Sequence, residues 1–270
     1  MEKYTVLMSL YKKERPENLI LAIESMIQQT IKPSEFLIIA DGDLTEELDL
    51  VLNHYDEEYN FFKILRLKEN VGLGVALNIG VRESKYELIV RMDSDDISKK
   101  NRCEKQIEFL ENNQEIDVLG TFVSEFIGSI DNVINEKKVP TSFLEIKKYS
   151  NFRNPINHMS VVFKKSSVIQ SGNYRPMQGF EDYYLWLRML QDNRVIVNLD
   201  DYLVFARTEK DFYKRRSGWD YFLQEINFQN KIRKEKIITN SRFIKNLVLR
   251  GIVRLIPARC IKMVYNTMAR

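Results

Sequence analysis

The architecture of this chain turns on "YELIVRMDSDDIS", residues 86–98. Tyr86 to Met92 is a short β-rich apolar run, the pattern of a strand covered on both faces. Three carboxylates follow within four positions: Asp93, Asp95 and Asp96. Like charges crowded at a strand end repel, so the arrangement calls for a positive partner.

The same strand-then-turn pattern recurs upstream. "YTVLMSL" (4–10), "SEFLIIA" (34–40) and "FFKILRL" (61–67) read as strands. Between them lie helical patterns. Leu19, Ile20, Ile23, Met26 and Ile27 recur at helical spacing behind Pro16, and "LTEELDLVLNHY" and "VALNIGVRES" complete the alternation. Strands alternating with such helices predict βαβ units in a Rossmann-like, mostly parallel central sheet with helices on both faces. Ligands bind such sheets beyond the carboxyl ends of the strands. Four features fall there: Ser9-Leu10-Tyr11, Asp41-Gly42-Asp43, the turn from Glu69 to Gly74, and Asp93 to Asp96.

After the helix "RCEKQIEFLENN" the pattern changes. "IDVLGTFVSEFI" and "VINEKKV" predict an antiparallel pair, "NPINHMSVVFKK" a loop and strand, and "GFEDYYLWLRMLQDN" a helix with an acidic start. "RVIVNLDDYLVFAR" reads as two short strands. The expected organisation is a body of residues 1–230, an α/β half to about 115 and a mixed half from 116, then a helical tail over 231–270.

Of the 270 residues 44% are hydrophobic and 29% charged, enough for a substantial core. Two isolated cysteines and two histidines offer neither a disulfide framework nor a His-based metal site. No stretch reaches the about 18 uncharged apolar residues of a membrane span, and the start has no signal-peptide pattern, so a cytoplasmic setting is expected. The net charge of +3 is unevenly spread. Residues 231–270 carry eleven Lys or Arg against one acid, Glu235, which leaves a mildly acidic body. That distribution argues against a nucleic-acid binder, whose folded body would itself be basic.

Each feature has a plain structural reading beside a functional one. The three acids suit a strand-to-helix turn, and equally a hard-cation site. The glycines of "ENVGLG" permit a tight turn or the close approach of a ligand, without the Lys-Ser/Thr ending of a Walker loop. Glu181 and Asp182 suit a helix N-terminus through the dipole, and equally acid–base chemistry.

The ordered set "VLMSLYKKERPENLILAIESMIQQT", "ADGDLTEEL", "ENVGLGVALNIGV", "VRMDSDDIS", "NHMSVVFKKSSV" and "GFEDYYLWLRML" resembles glycosyltransferase family 2, inverting nucleotide-sugar transferases of GT-A fold. The likeness spans about residues 4–220, and the "ADGDLTEEL" form is similar to bacterial polysaccharide-assembly transferases. It implies a UDP-sugar donor, a saccharide acceptor, lipid-linked in this reading, and a divalent Mn²⁺ or Mg²⁺.

Residue by residue, the resemblance implies Asp95 as metal ligand and Asp93, with Ser94, on the nucleotide side. Asp96 is a helper or a cap. Asp41 would accept the uracil N–H. Ser9, Leu10 and Tyr11 would line the base, although Lys12 stands where the family usually has Asn. Asn70 and Gly72, and less directly Asn78, would lie beside the nucleotide. Asp182 would be the base that deprotonates the acceptor, with Glu181 its neighbour. His158, Arg215, Arg216 and Trp186 are candidates for diphosphate or acceptor contacts, each with a structural alternative.

The tail segment "SRFIKNLVLRGIVRLI" carries an apolar stripe of Phe243, Ile244, Leu247, Val248, Gly251, Ile252, Leu255 and Ile256 with basic residues beside it. Such a helix suits an anionic membrane surface at the inner face of the cell membrane, or packing on the body or a second subunit. Two rival functions remain: a sugar-1-phosphate nucleotidyltransferase, and a non-catalytic nucleotide-binding protein on the same scaffold.

Overall fold

The computed structural model describes residues 2–208 and 218–255, with side chains as far as Arg250. In the first half β1 (Tyr4–Leu10), α1 (Pro16–Ile27), β2 (Glu35–Ala40), α2 (Glu46–Glu58), β3 (Phe62–Arg66), α3 (Leu73–Glu83) and β4 (Leu88–Met92) alternate. Then come β5 (Ile97–Ser98), α4 (Arg102–Asn112), β6 (Ile116–Phe126), β7 (Val133–Lys137) and α5 (Phe143–Tyr149). A 3₁₀ turn (His158–Ser160), β8 (Val162–Lys164), α6 (Lys165–Gln170), α7 (Glu181–Gln191) and β9 (Val195–Arg207) complete the sheet region. Two helices follow, α8 (Trp219–Lys234) and α9 (Asn240–Leu255).

Among the described residues the strands join in one sheet of order β3-β2-β1-β4-β8-β6-β9-β5, with β7 on β6. β3, β2, β1 and β4 are all parallel. β8 enters antiparallel between β4 and β6, whereas β6 and β9 run parallel. This is the expected architecture: a parallel half joined to a mixed half, with helices on both faces.

Alternation explains the layers. Tyr4, Val6, Met8 and Leu10 of β1 face a core shared with Leu19 and Ile23 of α1, Leu48 and Leu52 of α2, and Ile107 of α4. Leu7 and Ile89 face the opposite core, with Leu77 of α3 and Leu185, Trp186 and Met189 of α7. The helices carry their own start signals. Pro16 opens α1, and the Thr45 hydroxyl caps α2 by accepting from Leu48 N, ahead of three first-turn acids.

Two expectations need correction. "RVIVNLDDYLVFAR" forms one strand, β9, rather than two. Asp200-Asp201 mimics a turn, but the pairing with β6 shifts register near Thr121–Val123, which lets a single strand bend there and continue. The boundary that composition places at 230 falls inside α8, whose buried Glu225, Phe228, Gln229 and Ile232 tie it to the body. The helical C-terminal region therefore begins at Trp219.

The parallel register aligns the strand ends. Leu10 pairs with Ala40, Ala40 with Arg66, and Met8 with Met92. The segments that follow them emerge on one rim.

Candidate active site

Asp41 organises the first part of the rim. It is 4% exposed, and its Oδ1 accepts from Val71 N at 2.7 Å. Oδ2 accepts from Gly72 N at 3.0 Å and from Asn70 Nδ2 at 3.1 Å. The turn after β2 and the glycine turn before α3 are thus locked together. Gly42 is required for this: at φ +81° its place for a Cβ lies 2.7 Å from Asn70 N. Three donors leave room for a further donor at a carboxylate that has about four acceptor sites. Leu10 is fully buried, Ser9 half-buried, and Tyr11 46% exposed, so Tyr11 alone of the three offers a broad surface to a ligand.

The acids of residues 93–96 sort by partner. The positive group that Asp93 needs is Arg91, two residues earlier on the same strand. Arg91 lies on the α3/α7 face beside Ile89 by alternation, is 2% exposed, and holds both Asp93 oxygens with its two terminal nitrogens. Burial alone would lower the Arg91 pKa, but Asp93, with Tyr174 and Asp96 adding, outweighs it and the net shift is upward. Asp96 is buried. Its Oδ1 accepts from Arg207 N at 2.7 Å while its Oδ2 has no hydrogen-bond partner. Burial first, then Asp95 and Asp93, push the Asp96 pKa well up. Asp96 thus ties the loop to the end of β9, and Arg207 Nε adds a bond to Asp95 O at 2.9 Å.

Asp95 makes no ion pair among the described residues and feels Arg91 only weakly. Burial, then Asp93 and Glu14, raise its pKa to about 7. Glu14, from the turn after β1, accepts from the Ser94 hydroxyl at 2.7 Å. A desolvated carboxylate beside other acids gains most from an incoming cation.

α7 brings the second group. Glu181 and Asp182 form its first turn, and Asp182 Oδ2 accepts from Asn154 Nδ2 at 2.5 Å. Glu181 lies against α3, where a Cβ on Gly74 would come 2.9 Å from its Cγ. Burial first, with Asp182 adding, raises the Glu181 pKa to about 7. Tyr174 connects the groups: its hydroxyl feels the charges of Arg91, Asp182 and Asp93, and lies 2.8 Å from His158 Nε2. Burial, with Arg91 adding, keeps His158 well below the usual histidine pKa and hence neutral.

Not every candidate joins the site. Trp186 is fully buried in the α7 core, so it is a packing residue and not an acceptor platform. Asn78 Nδ2 donates to Tyr174 O at 2.7 Å and so holds the turn before α7. Arg215 and Arg216 lie outside the described residues.

The family model described as "Glycosyl transferase family 2" matches residues 5–168. The chain belongs to glycosyltransferase family 2. The transferase is 37% identical over 268 residues to the UDP-Gal:alpha-D-GlcNAc-diphosphoundecaprenol beta-1,3-galactosyltransferase of Escherichia coli, covering 99% of this chain and 97% of that one. It is 35% identical over 268 residues to the amylovoran biosynthesis glycosyltransferase AmsE of Erwinia amylovora, covering 97% and 98%.

Two solved structures place the fold as GT-A. S. aureus TarS 1-349 in complex with UDP-GlcNAc matches with TM-score 0.66 at 18% identity, over 91% of this chain and 70% of that one. The mannosyltransferase PcManGT from Pyrobaculum calidifontis, in complex with GDP-Man and Mn²⁺, matches with TM-score 0.66 at 12% identity, over 91% and 68%. The longer TarS chain is 43% spanned by this one.

The transferase's acids fit a cation of the Mg²⁺ or Mn²⁺ type. Among the described residues no three His, Cys, Asp or Glu groups form a cage. Such ions need only one or two carboxylates when diphosphate oxygens supply the rest. Among the described residues Asp96 Oδ2, beside Asp95 in the chain, has no hydrogen-bond partner. Sequence reading passed over Glu14, Arg91, Asn154, Tyr174 and Arg207. Only Arg91 had a usable signal: residues i and i+2 of a strand share a face, which sets it beside Asp93.

Proposed function

We propose that this transferase moves a hexosyl or N-acetylhexosaminyl unit from a UDP-sugar, with inversion, to a hydroxyl of a saccharide held on a lipid carrier. The setting we propose is bacterial surface polysaccharide assembly, at the cytoplasmic face of the membrane. Support comes from two relatives that match over nearly the whole chain, one named for polysaccharide biosynthesis and one for transfer from UDP-Gal to a diphosphoundecaprenol-linked sugar. The observation that carries the reading is the meeting of Asp93, Arg91 and Asp182 within electrostatic reach of the single Tyr174 hydroxyl. This supports a reading in which groups expected on the nucleotide and acceptor sides, almost ninety residues apart in sequence, serve one site.

In this reading Tyr11 stacks on the uracil, with Ser9 and Leu10 behind it. Asp41 accepts the imide N–H while holding Asn70 and Gly72 against the nucleotide. Asp93 and Ser94 line the ribose, fixed by Arg91 and Glu14. Bound Mn²⁺ or Mg²⁺, held by Asp95, would offset the charge on the departing diphosphate. Asp182 takes the proton of the acceptor hydroxyl as its oxygen bonds to the anomeric carbon. The bond from that carbon to the diphosphate oxygen breaks, and UDP leaves with the electron pair. Glu181, its pKa raised to about 7, is partly protonated at neutral pH, and the start of α7 favours negative charge. Neutral His158 orients Tyr174, and Arg215 and Arg216 are candidates for contact with the diphosphate.

The test is transfer from a panel of UDP-sugars to a synthetic lipid-diphosphate monosaccharide with Mn²⁺ present. The expected product has inverted anomeric configuration. Synthesis of a UDP-sugar from sugar-1-phosphate and UTP, or UDP binding with no transfer to any acceptor, would overturn the proposal.

A further inference from the structure

Helix α9 meets the body with Phe243 and with two polar residues. Asn246 is 2% exposed, and its Nδ2 donates to Asn151 O and to Gln229 Oε1, both at 3.1 Å. Arg250 pairs with Glu225, itself fully buried, and donates to Phe152 O. On the other side of the same helix Ile244 is 61% exposed, Val248 55% and Leu249 43%. Phe243 and Leu247 are half-buried on the inward side, Phe243 against the body core, so the apolar stripe is split, and a surface helix usually buries the whole of it. A buried ion pair is a costly way to dock a helix. Here that docking leaves the aliphatic side free.

Cations lie on this face and in the segment that leads to it: Lys245 stands three and four residues before Val248 and Leu249, on the same side of the helix. Lys231, Lys234, Lys236 and Lys245 are all exposed. Glu235, the lone acid of residues 231–270, is engaged by Tyr184 and Lys231. Aliphatic side chains among lysines match a surface that is apolar below and anionic above, as the headgroup region of a charged bilayer is. A protein partner would more often present aromatic and arginine-rich contacts. α9 also holds the loop that serves the site. Asn246 and Arg250 hold the backbone of Asn151 and Phe152, the Arg242 guanidinium lies over the Phe152 ring, and Asn154 of the same loop holds Asp182.

We infer that α9 is an interfacial helix that seats the transferase on an anionic bilayer through Ile244, Val248, Leu249 and the flanking lysines, and that this contact lies one loop away from Asp182. The inference deepens the lipid-linked reading of the acceptor but stands on the helix alone. No helix among the described residues is long and apolar enough to cross a membrane, so contact of this kind is peripheral.

The experiment is co-sedimentation of the full chain with phosphatidylcholine vesicles with and without phosphatidylglycerol, at low and high salt, with no sugar present. Binding is expected to the anionic vesicles and to weaken with salt. Ile244→Glu with Val248→Glu is expected to reduce it about tenfold or more, and Lys245→Glu about fivefold or more. Ile244 and Val248 are exposed, so Tm and Mn²⁺-dependent UDP binding of the double variant should match the parent protein. Failure of the parent chain to bind anionic vesicles, or undiminished binding by the double variant, overturns the inference. So does a double variant that turns a dimer into a monomer while vesicle binding persists, since the face would then be a contact between copies. UDP binding read in parallel separates failure here from failure of the transfer proposal.

Discussion

Replacing Arg91 by Met tests the electrostatic design of the site. The variant keeps most of the side-chain volume on β4 but removes the cation that holds both oxygens of Asp93. Breaking a buried pair costs about 3–5 kcal/mol because the survivor is left uncompensated. Arg91 is 2% exposed, but the Asp93 side chain is 31% exposed and partly screened, which lowers the figure to about 2–3 kcal/mol. At about 2–4 °C per kcal/mol for a chain of this size, Tm should fall by about 4–12 °C. The freed charge also faces Asp95, so Mn²⁺ with UDP should restore more Tm in the variant than in the parent protein. Arg91→Lys should fall between the two, since a point charge cannot grip both oxygens. Scanning calorimetry with and without Mn²⁺ reads all of this. A metal-free Tm within about 1 °C of the parent would refute the view that Arg91 balances the acidic loop.

Three further outcomes follow from the same geometry. The Asp95 pKa of about 7 means that proton and metal compete, so Mn²⁺ affinity should rise by up to about tenfold per pH unit below 7 and level off above it; titration calorimetry across pH checks this, and a flat profile contradicts it. With no metal, Asp95 keeps its proton up to about pH 7 in the fold but loses it near its ordinary value of 3.8 when unfolded. Stability from this group is therefore full below about pH 4 and declines as pH rises to 7, a slope that Asp95→Asn should reduce in thermal melts. Gly42→Ala, at φ +81° and 2.7 Å from Asn70 N, should cost about 1–3 kcal/mol and weaken UDP binding, measured by denaturation and calorimetry; a neutral variant would sink the argument for a locked rim.

Most of the fold was legible because its signals are local. β1 to β4 and α1 to α3 carry apolar periodicity, Pro16, Thr45 and the glycine turn, so the parallel half and its rim follow from pattern alone. The second half was harder for specific reasons. Asp200-Asp201 interrupts β9 in sequence but only bends it in space. β5 is two residues long and is held by β9, more than a hundred residues later, which no local pattern reports. α8 mixes buried Glu225 and Gln229 with apolar positions, so its inward face has no clean stripe. The site divides in the same way. Asp41 and the residue 93–96 acids stand at strand ends and could be found by position. Trp186 carries both a core and an acceptor reading in the sequence because aromatic side chains serve cores and sugars alike, and its complete burial favours the core. Asn154, Tyr174, Glu14 and Arg207 reach the site from loops and a distant strand end, so tertiary packing alone brings them there.

The measurement closest to the central claim is the transfer rate of Asp182→Asn beside its Mn²⁺-dependent UDP affinity. Asn keeps the shape of the side chain at the start of α7 but cannot accept the acceptor's proton. A base of this kind contributes about 10²–10⁴-fold, so turnover should fall by that factor while UDP and Mn²⁺ bind as in the parent protein. Transfer by Asp182→Asn at the parent rate would contradict the account, because the proton would then have to leave by way of another group.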